Sequence, residues 1–154
     1  SHDDFSNTVI LALQPRGVAT GLRIHKKLEK ATKKKIDLGY LDATFFRDDF
    51  RRQAGPLRAN ATKVPFLIEG KRVILVDDVL YTGRTVRAAM DAMMAFGRPK
   101  DVELLVVIDR KYSRDIPIQP NYVGREVMCQ ESEKVVVDIK EIEDKKELIW
   151  LVKK

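Results

Sequence analysis

The chain is short of cysteine, histidine and tryptophan. Its 154 residues hold one Cys, two His and one Trp. Cys129 has no second thiol in the chain to pair with, which rules out an internal disulfide and agrees with a reducing compartment. So few ligating side chains make no His/Cys cluster, so a zinc centre is not expected. No apolar run approaches the roughly 20 residues a membrane helix needs. The first residues carry no apolar stretch of signal-peptide type. Internal repeats and low-complexity segments are also missing. These absences point to a soluble, cytoplasmic protein with no membrane partner. At 154 residues and 44% hydrophobic content, the chain fits one domain around one core.

What is present is positive charge. Lys and Arg number 29 against 23 Asp and Glu, a formal balance of +6. A basic balance suits an anionic ligand, such as a phosphorylated sugar or a nucleic acid, without selecting between them.

Apolar patterning outlines an α/β domain. Thr8–Leu13 (TVILAL) is a short buried strand, broken by Gln14-Pro15-Arg16-Gly17. Val18, Leu22, His25 and Leu28 recur at helical spacing, giving a helix that frays in the lysines at 33–35. His25 falls on that apolar stripe, where it serves structure. Ile36–Phe46 predicts a second strand, interrupted near Gly39. Arg47 to Lys63 is polar and basic, with Gly55 and Pro56, and predicts a long functional loop. Arg72–Asp77 is the strongest strand, Asp78–Arg84 a turn. Val86, Met90 and Met93 then mark a helix face that stops at Gly97-Arg98-Pro99. Met90, Met93, Met94 and Trp150 are expected in packing. Val102–Ile108 is another unalternating apolar strand. Such strands are buried on both faces, and helices between them indicate a parallel sheet. Short segments follow around Pro117 and Pro120, and Val135–Ile139 with Leu148–Val152 predict closing antiparallel strands.

The chemistry concentrates in Val73–Thr85, VILVDDVLYTGRT. It is a buried strand with two carboxylates at its C-terminal end, a turn, and a helix. In open α/β sheets ligands sit beyond the carboxyl ends of strands. A helix start offers free N–H groups and the positive end of the helix dipole, which suits phosphate. Gly83 lets backbone approach an anion, and the Thr82 and Thr85 hydroxyls can donate to it. Asp77 and Asp78 would repel the same phosphate, so they should face another part of the ligand. Ribose hydroxyls, or a metal bound to them, suit carboxylate acceptors. A bare pair of acids is more often a strand end and a turn; the flanking turn chemistry favours a site.

VILVDDVLYTGRT resembles the phosphoribosyl pyrophosphate (PRPP) motif of type I phosphoribosyltransferases. VDDVLYTGRTVRA is similar to the pyrimidine operon attenuator and uracil phosphoribosyltransferase family. Other segments match in order: Leu13–Gly17 resembles its pyrophosphate loop, and Phe46–Asp49 the start of its flexible loop. Gly97-Arg98-Pro99 follows the central helix. Asp109-Arg110, Ile116–Ile118 and Asn121–Gly124 resemble its base-binding hood, and Ser132–Val135 its C-terminal strand entry. The resemblance spans residues 8 to about 152. It departs in two places. Only Ser1–Asn7 precede the first strand, where the family carries a further helical segment. Pro15, which has no N–H donor, stands where the family has a small polar residue. Most X–Pro bonds are trans, although cis is open to Gln14–Pro15.

The resemblance implies a type I phosphoribosyltransferase fold: a mainly parallel sheet flanked by helices in a core of about 8–108, a hood with C-terminal strands at about 109–152, and a flexible loop at about 47–63. It implies that uracil and PRPP give UMP and pyrophosphate with Mg²⁺. Asp77, Asp78, Arg16 and Arg47 would be catalytic. Val79, Leu80, Tyr81, Thr82, Gly83, Arg84 and Thr85 would bind PRPP and its 5′-phosphate. Gln14, Pro15, Arg16 and Gly17 would form the pyrophosphate loop. Asp109, Arg110, Ile116 and Val123 would read the base. Mg²⁺ would be held through substrate oxygens and water near Asp77 and Asp78, with no direct protein cage. The resemblance also implies self-association and attenuation of pyrimidine genes by binding a messenger RNA leader, with Arg23, Lys26, Lys27, Lys30, Lys33–Lys35, Arg51, Arg52 and Arg58 available for phosphate contacts. Two alternatives stay open. One is a regulator that keeps the fold without catalysis, as Pro15 would allow; the other is a purine phosphoribosyltransferase, against which the hood sequence speaks.

Overall fold

A computed structural model describes residues 5–46, 61–140 and 147–153. Five parallel strands form the central sheet: β1 (Thr8–Leu13), β2 (Asp37–Leu41), β3 (Arg72–Leu80), β4 (Asp101–Lys111) and β5 (Tyr122–Met128). Their order is β2-β1-β3-β4-β5. Two helices flank the sheet, α1 (Gly17–Thr32) and α2 (Arg84–Met93). A separate antiparallel hairpin joins β6 (Glu133–Asp138) to β7 (Leu148–Lys153).

Alternation along buried strands builds two core layers, because successive side chains leave opposite faces of the sheet. Val9, Leu11 and Leu13 of β1 join Val73 and Leu75 of β3 in one layer, closed by Val86, Ala88, Ala89, Ala92 and Met93 of α2. Ile10, Ile74 and Val76 form the other layer with Ile36 and Leu28, the latter on α1. Strands β1 and β3 are covered on both faces, so neither needs a polar side. His25 works structurally: its Nε2 lies 2.7 Å from the Ile36 carbonyl, and Glu29 accepts the Ile36 amide at 2.9 Å. These contacts fasten the end of α1 to the start of β2.

Several expectations need correction. Gly39 does not interrupt β2; it pairs with Leu11 in register, and the strand stops at Leu41. A glycine is tolerated there because the Leu11 side chain and the Lys63 carbonyl crowd the space a Cβ would occupy. Strand β3 runs past Asp77 and Asp78 to Leu80, so the turn is confined to Tyr81–Gly83. Its pairing with β4 holds it extended, with Val79 opposite Ile108 and Leu80 opposite Asp109. Strand β5 was not foreseen; its residues are mostly exposed, as fits a sheet edge without an apolar run. Met90 and Met94 are 44% and 53% exposed, because short alanines bring α2 close to the sheet and turn those methionines outward. Trp150 is 39% exposed on β7, a hairpin strand whose residues are all exposed. The Gln14–Pro15 peptide is cis. Arg47 and residues 48–60 of the expected loop lie outside the described residues, as do Arg51, Arg52 and Arg58.

Gly17 sets the distance between α1 and β3. A Cβ built on it would sit 2.4 Å from the Val76 carbonyl oxygen and 3.2 Å from the Asp77 Cα. Gly17→Ala must therefore push the start of α1 away from the sheet. Overpacking of this kind costs about 1–3 kcal/mol, and urea unfolding should register the loss. A variant as stable as wild type would show that the helix start accommodates the methyl group.

Candidate functional site

The strand order reverses direction between β1 and β3: the chain goes from β1 outward to β2, then returns to β3 on the other side of β1. Loops leaving adjacent parallel strands in opposite directions open a crevice at the strand ends, where open α/β sheets bind ligands. A cleft of about 460 Å³ lies there, lined by Gln14, Pro15, Arg16, Asp77, Asp78, Val79, Tyr81, Thr85, Arg110, Lys134 and Val135. The first three follow β1, Asp77–Val79 lie near the end of β3, Tyr81 and Thr85 come from the turn and the start of α2, and Arg110 is next to the last residue of β4. Lys134 and Val135 come from the hairpin.

Asp77 and Asp78 are 7% and 5% exposed. The backbone orients both carboxylates. Asp77 Oδ1 accepts the Asp78 amide at 2.9 Å, and Asp78 Oδ1 accepts the Val79 amide at 2.7 Å. Among the described residues Asp78 Oδ2 is buried without a hydrogen-bond partner, and Arg16 Nη1 stands 3.9 Å from it. A buried acceptor of this kind asks for a donor. Burial first, then the neighbouring Asp78 charge, hold the Asp77 carboxyl well above the usual carboxylate range; the Asp78 amide and Arg16 pull the other way. Arg16 itself is half-exposed, beside the cleft at the start of α1.

Beyond the acids the chain turns through Tyr81, Thr82 and Gly83 into α2. Gly83 is the N-cap, with φ of +89°, a left-handed conformation that favours glycine. Having no side chain, it leaves the helix start uncapped from that position, and the first amides of a helix lack intrahelical partners. Thr82 Oγ1 accepts the Arg84 amide at 3.3 Å. Outside the turn, the carbonyl of Thr82 accepts the amides of Asp115 and Ile116 at 3.0 and 3.1 Å. Arg110 is 3% exposed, with its guanidinium 4.0 Å above the centre of the Tyr81 ring. Its Nε is buried and unpartnered.

Thus the expected residues Gln14, Pro15, Arg16, Asp77, Asp78, Val79, Tyr81, Thr85 and Arg110 converge on one cleft. Others from the same segments do not line it. The Leu80 side chain packs in the core. Arg84 Nε pairs with Asp115 at 3.0 Å. Ile116 packs against Gly83, and Gly17 against β3. Asp109 is 1% exposed and pairs with Arg114 and Lys111. Val123 sits in β5 opposite Val106. Two residues have a place at or behind the site that the sequence does not suggest, Lys134 being expected only as part of a strand entry. Lys134 reaches the cleft from a hairpin whose docking no local pattern reveals. Arg114 is a lone loop arginine, yet it bonds to Tyr81, Asp109, Arg110 and Ile118. The expected loop also returns here: Gln14 Nε2 donates to the Ala61 carbonyl at 2.6 Å, and Lys63 bridges to Tyr40.

The chain that carries this crevice is similar to known proteins in sequence and in fold. The phosphoribosyl transferase domain family matches residues 1–143. Bifunctional protein PyrR of Pelotomaculum thermopropionicum is 41% identical over 145 residues, 94% of this chain and 80% of that protein. Its counterpart in Acetivibrio thermocellus is 44% identical over 137 residues, 89% and 74% of the two chains. Among solved structures, a hypoxanthine phosphoribosyltransferase from Staphylococcus aureus superposes with a TM-score of 0.56 at 17% identity. That match covers 80% of this chain and 63% of that one, and carries the fold alone. With its parallel sheet, its switch-point crevice and these relatives, the chain belongs to the phosphoribosyltransferase domain family and, within it, to the PyrR family.

Proposed function

We propose that the chain transfers the 5-phosphoribosyl group of PRPP to uracil, giving UMP and pyrophosphate, and that it also binds a pyrimidine operon messenger leader in response to UMP. The observation carrying the enzymatic reading is the buried, unpartnered Asp78 Oδ2 in a cleft that is also lined by Arg16, Tyr81 and Thr85. The bond between the anomeric carbon and pyrophosphate breaks, and one from that carbon to a uracil nitrogen forms. The sugar gains positive character and the leaving group negative charge, so positioning and electrostatics do most of the work.

The 5′-phosphate sits on the amides of the turn and the first turn of α2, with the Thr85 hydroxyl as a further donor. Asp77 and Asp78 accept from the ribose hydroxyls or from water on a metal. Arg16, outside the acids, draws the pyrophosphate away from the sugar. Arg110 and the 116–123 segment read the base. Among the described residues no three His, Cys, Asp or Glu side chains are grouped to hold a metal ion. Mg²⁺ suits this cleft because it keeps several waters and uses substrate oxygens, for which Asp77 and Asp78 are fitting outer partners. When bound, it neutralises charge on the pyrophosphate.

The regulatory half rests on the basic face of α1, with Lys26, Lys27 and Lys30 beside Arg23, and on the double role in the relatives' name. No helix among the described residues is long and apolar enough to cross a membrane; cytoplasmic residence and self-association belong to the same proposal. Incubation with uracil, PRPP and Mg²⁺ should release UMP and pyrophosphate in equal amounts. Product from hypoxanthine and none from uracil would overturn the substrate. UMP-strengthened RNA binding without turnover on any base would leave the regulator alone, as the missing N–H of Pro15 would allow.

A further inference from the structure

We propose that Arg114, paired with the buried carboxylate of Asp109, is a positioning residue that aims the amides of the phosphate turn and locks that turn to the base-reading loop. The proposal rests on the phosphoribosyl-transfer reading above. It concerns a residue that lines no part of the cleft and acts from behind it.

A guanidinium has five N–H donors in a fixed planar fork. Arg114 uses four of them. Nε donates to the Ile118 carbonyl at 3.0 Å. Nη1 donates to the Tyr81 carbonyl at 2.7 Å and to the Arg110 carbonyl at 2.9 Å. Nη2 donates to Asp109 Oδ1. One side chain thus joins the turn after β3, the end of β4 and the loop leading to β5. Asp109, 1% exposed, supplies the countercharge that lets the guanidinium sit partly buried.

Peptide planarity gives these contacts their consequence. In a trans peptide the carbonyl oxygen and the next residue's N–H point in opposite directions. Holding the Tyr81 oxygen therefore aims the Thr82 N–H the other way. Holding the Thr82 oxygen, which accepts from the Asp115 and Ile116 amides, aims the Gly83 N–H likewise. Turn amides that face an anion turn their carbonyls away from it, and those carbonyls need donors of their own. Residues 114–116 supply them, and the Arg84–Asp115 ion pair at 3.0 Å closes the same seam. Ile116, expected in the base-reading hood, lies 3.4 Å from the position of a Gly83 Cβ. The phosphate end and the base end of a nucleotide would thereby be held by one rigid unit.

Lysine cannot reproduce this. It brings three donors on a flexible stem and no fork. The test is UMP binding by calorimetry for wild type, Arg114→Lys and Arg114→Ala, with thermal unfolding of each. Both variants should bind UMP about 10- to 100-fold more weakly, the scale expected from small misplacements of binding groups. Guanidinium ion at millimolar concentration should restore part of the affinity in Arg114→Ala. Arg114→Lys keeps the charge and is the readout if the alanine variant does not fold. UMP affinity within twofold of wild type, with only the Tm lowered, overturns the proposal by leaving Arg114 a structural brace. A wild-type chain that binds UMP but forms none from uracil and PRPP would sink the enzymatic reading. The ratio of affinities would still decide the role of Arg114.

Discussion

Asp78→Asn is expected to lower kcat/KM for UMP formation by about 100- to 1000-fold, the range seen when one preorganised partner of a transition state is removed, and to leave the Tm nearly unchanged. The asymmetry comes from the two oxygens. Oδ1 accepts the Val79 amide at 2.7 Å, and the oxygen of an asparagine can keep that bond. Oδ2 is buried with no hydrogen-bond partner, so an NH₂ group in its place breaks no hydrogen bond and gives up only the long 3.9 Å ion pair with half-exposed Arg16. It does replace an acceptor with a donor and remove a negative charge next to the sugar. On the proposed function the partner lost is outside the chain: a ribose hydroxyl or a metal-bound water, both of which donate. Steady-state kinetics with PRPP varied, beside thermal unfolding, separates the two effects. An unchanged kcat/KM would take Asp78 out of the chemistry.

How much of this was readable beforehand follows from the range of each interaction. The buried strands announced themselves, because Val9–Leu13 and Val73–Val76 are apolar without alternation and both strands are covered on both faces. The twin acids and the glycine turn were readable because their meaning lies within one short segment. The extent of β3 was not: Asp78 looks like the start of a turn, and only the pairing of Val79 and Leu80 with β4 carries the strand past it. Strand β5 hid because an edge strand needs no apolar face. Met90 fits helical periodicity, yet the helix seats its alanines against the sheet and leaves that side chain outside. Arg114 and Lys134 were invisible for another reason. Their roles depend on which distant backbone happens to face them, and no spacing within the sequence encodes that.

Asp77→Asn should separate stability from activity. The folded state raises the Asp77 pKa through burial first and the Asp78 charge second. A carboxyl whose pKa is higher folded than unfolded favours folding while protonated. Its contribution is complete below the ordinary aspartate value of about 3.9 and is lost as pH rises through the raised value. At neutral pH the wild type therefore bears an ionised or costly carboxyl that asparagine does not. The Asp78 amide, 2.9 Å from Asp77 Oδ1, keeps its acceptor in the variant. Asp77→Asn is then expected to unfold at a higher temperature than wild type near pH 7 and to converge with it toward pH 4, while turnover falls. Thermal scans across that range check the sign. A variant less stable at pH 7 would mean that the ionised carboxylate is well satisfied by Arg16 and the backbone, and the cleft would lose the electrostatic tension on which a ligand's hydroxyls are expected to draw.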